Sequence, residues 1–196
     1  MKIEIKRLSP ELLEDYLHFF DTTPHNTDKY EDRCYCVGWS NANCEGQDFS
    51  TAEKRRAIAV TYVNNSSLQG YLAYYDNRVV GWCNANTKSE CFDCQYGKMY
   101  LGCTAKEEAS PSIKVKSVFC FAVSPEMRKK GIAELLLKRV CEDALRDGFD
   151  FVEAYPNKEF INTLADCMGP VKLYEKLGFT ASYEIEPKLV MRKKLI

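Results

Sequence analysis

The stretch Arg128-Lys129-Lys130-Gly131-Ile132-Ala133 has the residue types and spacing to hold an anion. It lies between the apolar run Val118-Phe119-Cys120-Phe121-Ala122-Val123 and the amphipathic segment from Glu134 to Leu145. A strand therefore ends, a short basic loop follows and a helix begins. The first turn of a helix carries backbone N–H groups with no partner inside the helix, and the helix dipole adds partial positive charge there. A phosphate or pyrophosphate is the natural ligand of such a turn. Gly131 lets the backbone approach the anion without an intervening Cβ, and Ala133 keeps the next position small. An ordinary β–α connection with a solvated basic loop is the plainer reading of the same residues.

The thiols are the other reactive groups. Of the ten cysteines, Cys83, Cys120 and Cys141 fall in apolar stretches and read as small core residues. Cys34-x-Cys36, Cys44, Cys91-x-x-Cys94 and Cys103 fall in polar stretches. A C-x-x-C pair is half of a common zinc ligand set, but no second pair follows at normal spacing. No metal site is expected; thiols that line a pocket, or simply sit in loops, are the better account. The histidines are His18 and His25, and no cysteine shows a nucleophile signature with His and Asp, so no covalent enzyme intermediate is expected.

The elements that must position these groups follow from patterning. Residues 2–8 alternate as a strand. Ser9-Pro10-Glu11 opens a helix with Ser9 as cap, striped by Leu12, Leu13, Tyr16, Leu17, Phe19 and Phe20. Residues 21–48 read as loop, and Ser50-Thr51-Ala52-Glu53 as a capping box for a helix to about Val63. Residues 70–75 and 79–85 form a hairpin around Asp76-Asn77-Arg78. Residues 86–113 are a long polar loop, the kind that is functional or mobile, and are expected to form a lid on the acceptor side. Val115–Val123 is the strand before the basic loop, and 149–155 the strand after its helix. A short helix from about Val171 to Gly178 and a hairpin of 180–186 and 188–195 complete the chain.

A second motif joins the first. Leu173-Tyr174-Glu175-Lys176-Leu177-Gly178-Phe179 lies some forty residues downstream. Together with Val123-Ser124-Pro125-Glu126-Met127-Arg128 and the Arg128, Gly131, Ala133 pattern, it resembles the GNAT superfamily of N-acetyltransferases. The resemblance covers residues 115–195 by motif and 1–85 by element order. It implies an α/β (α+β) fold of the GNAT type, a mixed twisted sheet flanked by helices. It also implies acetyl-CoA as acyl donor and an amine as acceptor. The strands on either side of the basic loop would splay apart and admit the pantetheine arm. The strand end Phe121-Ala122-Val123 would then pair with it, through Phe121 and Val123. Arg128, Lys129, Lys130, Gly131, Ile132 and Ala133 would hold the pyrophosphate.

The resemblance also implies that Tyr174 lies beside the CoA sulfur. A phenol is protonated near neutral pH and can donate to a developing thiolate; packing on its own helix is the plainer role. The family's CoA-anchoring Asn would correspond to Asn157, but residues 158–167 intervene before Tyr174 as an insertion. The family's base, a Glu on the strand before the loop, has no counterpart among Lys116, Ser117, Phe119, Cys120 and Phe121. A water relay, Glu153, Asp93 and His25 remain open. Tyr30, Tyr35, Trp39, Trp82, Phe92, Tyr96, Tyr100 and Tyr155 crowd the presumed acceptor side, where a cage for a cation is one reading.

Composition sets the outer bounds. With 196 residues and 45% hydrophobic content, one domain spanning 1–196 is expected. The net charge of −1 argues against a nucleic-acid partner. The first residues lack the apolar core of a signal peptide, and no apolar run approaches the roughly 20 residues of a membrane span. A cytoplasmic protein, monomer or homodimer, is expected. An acyl-CoA-binding sensor without turnover is the alternative to an enzyme.

Overall fold

A computed structural model describes residues 1–24, 27, 29–97, 110, 112–162 and 166–195. The elements run β1 (Glu4–Arg7), α1 (Leu13–Thr22), α2 (Ala52–Asn64), β2 (Gly70–Tyr75), β3 (Arg78–Thr87), β4 (Val115–Val123), α3 (Ile132–Arg146), β5 (Phe151–Ala154), α4 (Val171–Lys176), β6 (Thr180–Ile185) and β7 (Lys188–Lys194). This is the α/β order expected from the pattern. The strands form one sheet in the order β1-β2-β3-β4-β5-β7-β6. Only β4 and β5 are parallel; the other pairs are antiparallel.

Local chemistry explains the boundaries. Thr51 caps α2 by accepting from the Lys54 N–H at 3.3 Å, one residue later than the Ser50–Glu53 capping box predicts. Ser9 makes no such bond; a 3-10 turn over Pro10–Leu12 precedes α1 instead. The β2–β3 turn is tighter than expected. Asp76 and Asn77 both take left-handed φ (49° and 60°), so two residues close it and Arg78 already pairs with Tyr75. Such turns match the twist of the flanking strands. At its far end β3 runs on to Thr87, so the polar stretch after residue 85 begins as strand.

Two large cores flank the sheet. On one face α3 packs Leu136, Leu137 and Val140 against Val118, Val152 and Met191. On the other, α1 and α2 pack Tyr16, Phe20 and Tyr62 around Trp82 and Leu72. A third cluster joins Cys91, Cys94, Phe119, Tyr155, Met168 and Val190. Cys91 and Cys94 are therefore buried in a core cluster and do not line the cavity described below. Each holds its thiol above the usual range because burial disfavours the thiolate. No helix among the described residues is long and apolar enough to cross a membrane.

The sheet opens at its centre. β4 pairs with β5 only from Val115 to Val118, opposite Phe151 to Ala154. Beyond Val118, β4 continues to Val123 against β3 alone, with Cys83 opposite Phe121 and Gly81 opposite Val123. Among the described residues, one edge of Phe119–Val123 is thus left without a neighbouring strand, and the candidate site is built there.

Candidate active site

The basic loop is wound as its sequence requires. Ser124 to Met127 make a 3-10 turn, and the Arg128 guanidinium donates back to the Val123 carbonyl at 3.2 Å. Lys129 and Gly131 both have left-handed φ, 60° and 81°. A Cβ placed on Gly131 would meet no atom within 4 Å, so the loop opens onto free space there. The first helical bond of α3 is from the Leu135 N–H to the Gly131 carbonyl at 3.1 Å. The amides of Ile132, Ala133 and Glu134 precede it and head the helix dipole. Glu134 is ion-paired with Lys138 and Lys176, chiefly the latter, which holds its carboxyl below the usual range. The cations of the loop therefore set the local sign, and the turn fits a phosphate group.

One cavity of about 840 Å³ starts at this loop and follows the open edge of β4. Arg128, Lys129, Gly131, Ile132, Ala133 and the strand end Phe121, Ala122 and Val123 line it. Lys130 is not among the lining residues; its ammonium rests near the Met127 sulfur at 3.9 Å. Asn157 is also outside, accepting from the Lys188 ammonium at 3.0 Å.

The far end of the cavity is walled by residues from several segments: Phe20 of α1, Cys34 and Cys36 to Trp39, Arg55 of α2, Gln95 and Tyr96, Cys120, and Phe160 with Asp166 and Cys167. The loop over Cys34–Trp39 carries consecutive left-handed residues, Tyr35 (φ 46°) and Cys36 (φ 50°), which is uncommon for residues with side chains. It is held from both sides. The Tyr16 hydroxyl donates to the Tyr35 carbonyl, and Asn84 of β3 donates to the Trp39 carbonyl at 2.8 Å and to the Cys36 sulfur at 3.3 Å. Arg55 donates to the carbonyls of Glu31, Arg33 and Phe49, tying the preceding and following loops to α2. Trp39 lies between Tyr96 (4.6 Å) and the stacked ring of Phe119 (5.2 Å). Sequence reasoning placed Trp39, Tyr96 and the loop thiols near the acceptor but had no signal for Arg55, Gln95 or Phe20, which tertiary packing brings there.

The other candidates lie elsewhere. Tyr174 is fully buried among the core residues beside α3, and its hydroxyl donates to the Met168 carbonyl. It is not among the lining residues, and burial holds its phenol well above the usual range. Glu153 is fully buried, bonded to Lys88 and to the Arg192 Nε, each at 2.7 Å, and it accepts the Tyr155 hydroxyl at 2.7 Å. A carboxylate so bound stabilises the β5–β7 layer and does not face the cavity. Trp82, Tyr35 and Tyr155 are core residues. His25 and Tyr100 lie outside the described residues. No group of three or more His, Cys, Asp or Glu among the described residues is arranged to hold a metal ion.

Comparison with known proteins agrees with this architecture. The sequence model of the Acetyltransferase (GNAT) family matches residues 11–179. No curated protein sequence matches the chain significantly. Among solved structures, a mosquito arylalkylamine N-acetyltransferase-like protein superposes with a TM-score of 0.61 at 14% identity, over 99% of this chain and 100% of that one. The PaiA N-acetyltransferase of Thermoplasma acidophilum, solved in complex with coenzyme A, gives 0.54 at 17% identity over 99% of each chain. A Drosophila melanogaster polyamine N-acetyltransferase gives 0.55 at 11% identity over 99% of this chain and 100% of that one. At these identities the likeness is one of fold.

Proposed function

We propose that this chain, which belongs to the acetyltransferase (GNAT) family, moves an acetyl group from acetyl-CoA directly to the primary amine of a small molecule with an apolar or aromatic body. The observation that carries the reading is the single cavity that joins the α3 cradle to an aromatic and thiol-lined chamber past the open edge of β4. The amides of Ile132 to Glu134 and the side chains of Arg128 and Lys129 would hold the pyrophosphate. The backbone of Phe121 and Val123 would pair with the pantetheine arm. Bound there, the group supplies an activated acetyl thioester.

The chamber receives the acceptor. Phe20, Trp39 and Tyr96 offer apolar faces to its body. The amine nitrogen attacks the thioester carbonyl, the C–S bond breaks, the nitrogen loses a proton, and the thiolate gains one. Tyr174 is the proposed donor of that last proton. Holding the reactants together supplies much of the acceleration. The amine's proton leaves to water in this scheme, since β4 carries no carboxylate and Glu153 is spent on Lys88 and Arg192. Free thiols at all nine described cysteines fit a reducing, cytoplasmic setting.

The bond from Tyr174 to Met168 favours a second reading, an acyl-CoA-binding module without turnover. Thiol release from acetyl-CoA, measured with arylalkylamines, polyamines and amino acids, separates the two. Turnover with at least one amine supports the enzyme. Cofactor-dependent thermal stabilisation with no turnover on any amine supports the module.

A further inference from the structure

Residues 166–169 run beside the open edge of β4. The Phe121 N–H, which points away from β3, donates to the Cys167 carbonyl at 2.6 Å. The Cys167 thiol is hydrogen-bonded to the Cys120 thiol on the same strand. Gly169 sits over Phe121: a Cβ there would lie 3.7 Å from the ring. The carbonyl between them, that of Met168, accepts the Tyr174 hydroxyl. One short segment thus occupies two groups that the proposed reaction needs free.

Met168 anchors the segment in the third core cluster, and few backbone bonds hold the rest of it. The Asp166 N–H donates to the Asn162 carbonyl at 2.9 Å, the Gly169 N–H to the Asp166 carbonyl at 3.0 Å, and Asp166 Oδ2 accepts from the Ile161 N–H at 2.7 Å. Asp166 Oδ1 is buried with no hydrogen-bond partner among the described residues. An orphaned carboxylate oxygen is costly, and a shift that exposes it to solvent or a partner relieves that cost. Covering the edge has its own logic, because unpaired strand N–H groups invite pairing with other chains.

We infer that residues 166–169 are a strap that acetyl-CoA displaces from β4, and that the exchange turns the Tyr174 hydroxyl from Met168 toward the reacting thioester. This rests on the acyl-CoA reading above. At Phe121 one carbonyl acceptor replaces another, so the edge stays paired in both states. The acid is sealed until the donor is seated, and the donor's apparent affinity is lowered by the closed fraction.

Amide hydrogen exchange with desulfo-CoA, which cannot transfer an acyl group, tests the exchange. At saturation the amides of Asp166 and Gly169 exchange faster while Phe121 stays protected. Unchanged or slower exchange in 166–169, with binding confirmed by thermal shift, overturns the strap and leaves the cofactor reading intact. Absence of a thermal shift overturns the cofactor reading and the strap with it. Tyr174→Phe gives a second readout. It removes one bond that holds the strap, so desulfo-CoA binds about fivefold tighter, the weight of one hydrogen bond. A fixed wall predicts equal or weaker binding. Cys167→Gly, which removes the contact with Cys120 and frees the backbone, shifts affinity the same way and serves if Tyr174→Phe does not fold.

Discussion

One end of the cavity is built on a helix start with free backbone amides; the other is walled by side chains gathered from α1, α2, β4 and the loops around Trp39, Tyr96 and Asp166. The cradle is made by fourteen consecutive residues, from Phe121 to Glu134. Its function is set by conformation: a left-handed Gly131, a helix start and a strand end. The chamber has no such local origin. Its shape depends on Arg55 holding three carbonyls, on Asn84 holding Trp39, and on Tyr16 holding Tyr35. The lesson is that a backbone-built site recognises a common moiety and a side-chain-built site recognises a particular one. Substitutions should therefore separate donor binding from acceptor choice.

The largest effect is expected at the cradle. Gly131→Asp places a carboxylate where phosphate would sit; no atom lies within 4 Å of a Cβ there, though the left-handed φ of 81° adds backbone strain. Two like charges about 4 Å apart cost roughly 4 kcal/mol at a protein surface, about a thousandfold in affinity. Calorimetric titration with acetyl-CoA checks this, and circular dichroism checks that the fold survives. Retained affinity would break the comparison at its cradle end.

Glu153→Gln comes next and probes neither end. It leaves Lys88 and Arg192 buried without their counter-charge, which costs about 3–5 kcal/mol of stability. Chemical denaturation measures that loss. Turnover per folded molecule should keep its pH profile; a lost acidic limb would make Glu153 the base and would contradict its placement in the β5–β7 layer.

Tyr96→Ala should act on the chamber alone. Tyr96 is partly exposed and faces Trp39 at 4.6 Å. Losing one aromatic wall costs roughly 1.5 kcal/mol, about tenfold in the acceptor's KM. The KM for acetyl-CoA should not move. Equal changes in both constants would show that the two ends are not separable.

An effect on stability alone lies at the closed end of β4, where burial pushes Lys116 down to about 8. The unfolded chain holds that proton to higher pH than the folded one. Stability should therefore rise as pH goes from about 8 toward 10.5, relative to Lys116→Met, which lacks the titration. Thermal melts across that range measure it; parallel curves for the two proteins would contradict the burial of a neutral lysine.

How much of this was legible from residues alone follows the same division. Val118 to Ala133 announces a strand, an anion loop and a helix, because those features are local. The hairpin at Asp76-Asn77 and the helix start near Thr51 are legible for the same reason. Glu153 carries no local sign that Lys88 and Arg192 will enclose it, since those partners lie 65 and 39 residues away. Cys91 and Cys94 lie among polar neighbours in the sequence, yet they pack against Phe119 and Tyr155. The motif around Tyr174 marks its helix correctly, but the bond to Met168 depends on how the insertion folds back. The stretch after Asn86 reads as one loop because its strand residues are polar. Asn84 and Asn86 are buried there as hydrogen-bonding partners of the Trp39 loop rather than as apolar core.

The central claim is that the cradle and the open edge of β4 hold an acyl-CoA. Titration calorimetry of acetyl-CoA into the wild-type protein, with desulfo-CoA and free adenosine diphosphate as comparators, tests it most directly. The account predicts saturable one-to-one binding of acetyl-CoA and desulfo-CoA, weaker binding of adenosine diphosphate, and loss of all three in Gly131→Asp. Folded wild-type protein that binds none of them, or a Gly131→Asp variant that binds as the wild type does, would contradict it.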